Sequence, residues 1–207
     1  MEAMTAITLT IKIEPSHFRI RMLAVAQFFV GASFIIIGCS ALPAAAPLDE
    51  IPSETVSKWR TVDVMLFPPS GSSAPATHVF SVRLPANWEV DGLGIGADSW
   101  GGTLQGEGIR LNVTGGPFAV SELYEIVGGG PFEVDREKAT RHIVTNEEIN
   151  GIPANLVRPR DGISGFTGAI LSMPAGTRQT GKLLLVGQGL SRDEQAVAFA
   201  IFRSIKP

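Results

Sequence analysis

Apolar residues are concentrated in one place near the start of the chain and dispersed in short alternating runs after it. Residues 22–39 form an unbroken apolar stretch of eighteen positions, softened only by Gln27 and Ser33. Beyond residue 57 the pattern changes to short alternating segments separated by Gly, Pro and Asn. Residues 59–67 predict a first strand and residues 68–77, PPSGSSAPAT, a loop. Residues 78–84 alternate, with Val79, Ser81 and Arg83 on one face and Phe80, Val82 and Leu84 on the other. Extended pieces near Thr103-Leu104 and over 109–113 predict a hairpin within glycine-dense sequence. Residues 119–127 predict a short helix with Val120, Leu123 and Val127 on one face, stopped at Gly128-Gly129-Gly130.

The clearest local signal is Asn150-Gly151 between strand-like runs over 142–157. Both residues tolerate positive φ, which a type I′ hairpin turn requires. Residues 166–173 and 182–188 predict a further strand pair. Ser191-Arg192-Asp193-Glu194 is a capping box opening a helix, with Val197, Ala200, Ile201 and Ser204 on one stripe and Phe199 and Phe202 widening it. These elements predict an α+β fold: an antiparallel, turn-rich sheet, a C-terminal amphipathic helix packed on it and one short middle helix.

The apolar run follows a basic stretch (Lys12, His17, Arg19, Arg21) and ends at Cys39, the one cysteine of the chain; a Pro/Ala tract follows. That order reads as an export signal with a small residue before its cut site. An uncleaved membrane helix and a buried core helix are the alternatives, since eighteen residues is the spanning threshold. In the uncleaved case Arg19 and Arg21 stay cytoplasmic, which leaves the domain on the same outer side. Met1, Met4 and Met22 all stand as candidate starts. The predicted organisation is a signal over 1–38, a Pro/Ala-rich tether over 39–57 and one domain over 58–207.

Ile36-Ile37-Gly38-Cys39 resembles the lipobox of bacterial lipoproteins, with Ile where Leu is usual. The resemblance implies that the Cys39 thiol carries a diacylglycerol, that the chain is cut before it, and that two or three acyl chains such as palmitate hold it at a membrane. A single chain binds only marginally, at about 0.8 kcal/mol per buried methylene. The domain would face the periplasm or the cell exterior. Ser40 after the cysteine resembles an outer-membrane sorting pattern. The strings FSVRLPANW, GADSWGG, EEINGIPA and the closing SRDEQ…IFRSIKP resemble small exported bacterial domains. The ending is similar to that of the PsbP/Mog1-like fold, a curved antiparallel sheet backed by helices, whose members are mostly accessory and binding proteins.

Composition narrows the function classes. Residues 1–39 hold three of the seventeen basic and two of the twenty acidic residues, so the remainder has 14 against 18 and a net charge of −4. A mildly acidic surface argues against nucleic acid as a partner. No cofactor or metal is expected: His78 and His142 are far apart in sequence, and Asp91 and Asp98 lack the spacing of a calcium loop. No catalytic residue is assigned, because no G-x-S-x-G elbow surrounds Ser99 or any other serine. Adjacent Glu147 and Glu148 point to opposite faces of a strand and read as solvated, not as a glycosidase pair. The glycines over 101–108 lack the Gly-Lys-Ser/Thr ending of a phosphate loop and read as turns and bulges. Arg158-Pro159-Arg160 reads as a solvated turn, with anion binding as the alternative. Asn112-Val113-Thr114 matches a glycosylation sequon, of little weight behind a bacterial-type anchor.

The remaining binding candidates are Asp98 and Trp100, an aromatic beside polar groups in a glycine loop, weighed against Trp100 filling the core edge. The expectation is a membrane-tethered, non-catalytic binding or accessory module with an unidentified protein or small-molecule partner. A secreted hydrolase and a structural envelope protein are the alternatives.

Overall fold

The structure is a computed structural model that describes residues 48, 50–67, 73, 75–95, 99–117, 119–129, 133–174 and 181–207. Cys39 and Asp98 lie outside the described residues, and so do residues 1–38, where a signal was expected, and Gly130. All described residues belong to one unit, Pro43–Pro207.

A seven-stranded antiparallel sheet is the centre of the domain. Its strands are β3 (Glu89–Ile95), β4 (Trp100–Gly106), β5 (Ile109–Gly116), β6 (His142–Ile149), β7 (Ile152–Pro159), β8 (Phe166–Met173) and β9 (Gly181–Gln188), in the order β3-β4-β5-β9-β8-β7-β6. A separate hairpin joins β1 (Arg60–Leu66) to β2 (Thr77–Leu84). The helices among the described residues are α1 (Ser53–Ser57), α2 (Tyr124–Val127), α3 (Arg136–Arg141) and α4 (Arg192–Arg203). The α+β class holds, with less helix than strand. Two short helices, α2 and α3, stand where one middle helix was expected.

The sheet buries both faces, because successive side chains alternate across it. One face carries Leu111, Val113, Ala169, Leu171, Leu183 and Leu185, which pack with Phe80, Val82, Phe199 and Phe202 from the hairpin and α4. The other face carries Val157, Ile170 and Leu184 against Leu123, Tyr124 and Ile126 around α2. Val120, expected on the packed face, is exposed. The backbone turns only once as a helix here, so the 3.6-residue period does not extend back to it.

The β6–β7 turn forms as its residues dictate. Asn150 has φ 49° and Gly151 φ 83°, and Ile149 pairs with Ile152. The Asn150 side-chain amide also donates to the carbonyls of Ile205, at 2.6 Å, and Arg203, at 3.3 Å. At the start of α4, Ser191 Oγ accepts from the Glu194 amide and Glu194 Oε2 accepts from the Ser191 amide. The buried face of α4 is Gln195, Ala198, Phe199, Ile201 and Phe202. Val197, Ala200 and Ser204 are half-buried flanks rather than the centre of the stripe. The two phenylalanines draw the helix round toward the sheet, because each contributes about 1.5–3 kcal/mol when fully buried. After α4 the chain pairs with β2: the amides and carbonyls of Ser81 and Lys206 exchange two 2.9 Å bonds.

Several glycines serve packing rather than turns. A Cβ on Gly106 would lie 2.4 Å from the Trp88 ring, and one on Gly115 would lie 2.2 Å from the Trp100 ring. Each indole therefore rests on bare backbone. Gly108, in the β4–β5 turn with φ +83°, has no atom near its Cβ position and is there for conformation alone.

Candidate functional site

The ordered body begins before residue 58. Leu48 packs against the main core, Glu50 reaches Arg203, and residues 52–57 contain the single turn α1. The apolar residues of this stretch are Leu48, Ile51 and Val56, in a segment whose prolines and small residues read as a tether. Between it and α4 lies a groove of about 360 Å³. Leu48, Ile51 and Val56 form one wall and Ala196, Phe199 and Ala200 the other. That size falls at the lower end of small-molecule sites, which are concave, mostly apolar and carry a few polar groups.

The lining also carries polar groups, Glu50, Ser53 and Asn150 among them. Arg83 from β2, Arg203 and Ser204 from the end of α4, and Lys206 from the paired terminal residues all line the groove. Arg203 is held in place: Nε and Nη2 donate to the two carboxylate oxygens of Glu147 at 3.0 and 2.8 Å, and Nη1 donates to Glu50 at 3.3 Å. Its guanidinium also lies 5.6 Å from the Phe199 ring centre. The bonds to Glu147, with the charges of Glu147 and Glu50, raise its pKa further. A recess of about 40 Å³ shares Arg83, Ser204 and Lys206 with the groove and adds Thr61, Ser81 and Val82. Among the described residues, neither Arg83 nor Lys206 has an acidic partner.

Beside this recess the structure assembles three residue types that sequence reasoning left apart. A bulge between Val64 and Met65 shifts the β1–β2 register, so Met65 faces His78 while Val64 faces Phe80. Bulges re-aim side chains in this way. Here His78 Nε2 comes to 3.1 Å from Ser81 Oγ, and Ser81 Oγ donates to Asp63 Oδ1 at 2.6 Å. The wiring differs from a nucleophilic triad, in which the serine gives its proton to the imidazole. At 2.6 Å the carboxylate takes the hydroxyl proton, so Nε2–H donates to Ser81 Oγ. The Ser81 amide, bonded to Lys206, is also unavailable to an oxyanion. The His78 and Asp63 side chains are 42% and 63% exposed, on an open sheet face that does not exclude water.

Trp100 is not a surface recognition residue. It is 6% exposed and its ring lies 6.2 Å from that of Phe80, within the main core. Its strand reads as a glycine loop because Gly101 and Gly102 follow it, yet both belong to β4. Arg158 is buried in β7, 3.5 Å from Asp161, and is not part of a solvated turn. Glu147 and Glu148 do point apart, but Glu147 is bound by Arg203 rather than solvated. His142 is a buried structural residue. Its Nδ1–H donates to the Lys138 carbonyl at 2.6 Å and its Nε2 accepts from the Phe166 amide at 3.0 Å. Burial lowers its pKa, with Arg141 and Lys138 adding to the effect and the bond to the Lys138 carbonyl opposing it.

Among the described residues, no group of three or more His, Cys, Asp or Glu is placed to hold a metal ion. No helix among them is long and apolar enough to cross a membrane. Against protein-family models, curated proteins and solved structures, the chain has no match.

Proposed function

We propose that this chain is an extracytoplasmic lipoprotein, tethered to a bacterial membrane through Cys39, whose α+β domain is a non-catalytic binding module. The observation that carries the tether is the order of residues: basic stretch, eighteen apolar positions, Ile36-Ile37-Gly38-Cys39, then a Pro/Ala tract. A groove with apolar walls and three cationic side chains in its lining supports a binding role. In cells making the full chain, globomycin should cause a heavier, uncut precursor to accumulate, and Cys39→Ser should do the same. A mature form that still appears in both cases would refute the lipoprotein reading.

A secreted hydrolase is the second reading: Asp63, His78 and Ser81 come together, although the serine gives its proton to Asp63 and not to His78. On that reading the full chain would turn over simple esters and Ser81→Ala would abolish it. The binding reading predicts the same background rate for both proteins.

A further inference from the structure

We infer that the groove between residues 48–56 and α4 binds one long-chain carboxylate, its alkyl tail along the apolar walls and its carboxylate between Arg83 and Lys206. This rests on the binding-module reading and names the ligand class of that same site.

Shape comes first. The groove is about 360 Å³, roughly a dozen water-sized volumes at ~30 Å³ each. That accommodates a single alkyl chain folded along Phe199. Its apolar walls come from Leu48, Ile51, Val56, Ala196, Phe199 and Ala200, with Ser53 and Asn150 as neutral polar side chains of the lining.

Charge decides the headgroup. Among the described residues, the groove lining carries three cations, Arg83, Arg203 and Lys206, and one acid, Glu50, on a domain whose net charge is negative. Arg203 is committed to Glu147 and Glu50. Arg83 and Lys206 have no acidic partner among the described residues, and both also line the 40 Å³ recess, which shares them and Ser204 with the groove. That recess is large enough for a carboxylate. An anion there gains charge-assisted bonds from two cations while its tail leaves water. A neutral ester loses the first contribution, and an alkylammonium is repelled.

The test uses the full chain purified from membranes into discs of zwitterionic lipid. A palmitate analogue bearing a diazirine in its tail is photo-crosslinked and the labelled peptides are mapped by mass spectrometry. Label is expected on the peptides carrying Ile51 and Phe199. Free palmitate should compete with it, whereas methyl palmitate and hexadecyltrimethylammonium should not. Arg83→Glu with Lys206→Glu should lower labelling at least about tenfold, the loss expected for a charge-assisted contact. Ala200→Trp, which fills the groove from the half-buried flank of α4, should lower it equally, and unchanged thermal melts show that both variants are folded. Label scattered over the surface, equal competition by the methyl ester, or labelling indifferent to the charge reversals would overturn the inference. The mass of the mature amino terminus, read on the same sample, separates the two claims. A chain acylated at Cys39 that fails to take the probe refutes the carboxylate site and leaves the lipoprotein reading standing.

Discussion

Replacing Gly115 by alanine tests the core of this fold, because two physical effects of opposite sign compete at that position. Gly115 lies in β5, opposite Trp100 of β4. Alanine restricts the unfolded chain more than glycine does, which alone would stabilise the protein by about 0.5–1 kcal/mol. The new methyl group, however, would lie 2.2, 2.4 and 2.7 Å from three atoms of the Trp100 indole. All three separations are far inside van der Waals contact, and the ring is packed against Phe80 on another side. At separations this short the cost lies in the upper part of the usual range for overpacking, about 2–3 kcal/mol, so after a backbone gain of up to about 1 kcal/mol the net effect is destabilising by about 1–2 kcal/mol. For a domain of this size that lowers Tm by about 2–8 °C. Denaturant titration followed by tryptophan fluorescence measures it. Trp100→Phe should relieve part of the Gly115→Ala penalty, giving a double variant more stable than the sum of the two single losses. Stabilisation by Gly115→Ala, or strict additivity with Trp100→Phe, would show that the indole does not lie over β5.

Asn150→Ala should cost about 2–3 kcal/mol: about 1–2 for a left-handed backbone and about 1 for the lost bonds to Ile205 and Arg203. Asn150→Gly should recover the backbone share, which equilibrium unfolding of the two variants separates. His142 gives a pH dependence of stated sign. Its pKa is lowered in the folded state, so below the unfolded value of about 6.5 the unfolded chain binds the proton first. Stability should therefore fall as pH drops from about 6.5, by up to ~1.4 kcal/mol per pH unit, and His142→Gln should flatten the slope. Ser191→Ala removes the acceptor for the Glu194 amide and should cost about 0.5–2 kcal/mol by thermal melt, with Ser191→Asp restoring most of it.

What the sequence makes legible depends on how local the cause is. The Asn150-Gly151 turn and the Ser191/Glu194 capping box are written in adjacent residues, and both form. The β4–β5 hairpin is legible for the same reason. The Asp135 cap of α3 is equally local: its carboxylate accepts from the amides of Glu137 and Lys138, and the run Asp135-Arg136-Glu137-Lys138 carries that signal. Gly106 and Gly115 are different. Their reason is an indole from another part of the chain, so composition presents them as turn glycines. Strand β3, with two glycines in seven residues, is hidden by the same ambiguity. The approach of His78 to Ser81 depends on one bulge, and the groove on residues 48–56, which follow a Pro/Ala tract and so suggest only a spacer. Trp100 resembles a recognition residue only while its glycine neighbours are taken as loop.

The central claim concerns Cys39 and is tested by the intact mass and amino-terminal fragment of the protein taken from the membranes of cells that make it. The account predicts a chain beginning at Cys39, heavier than its sequence by a thioether-linked diacylglycerol. A 207-residue chain with a free thiol, recovered from the cytosol, would contradict it.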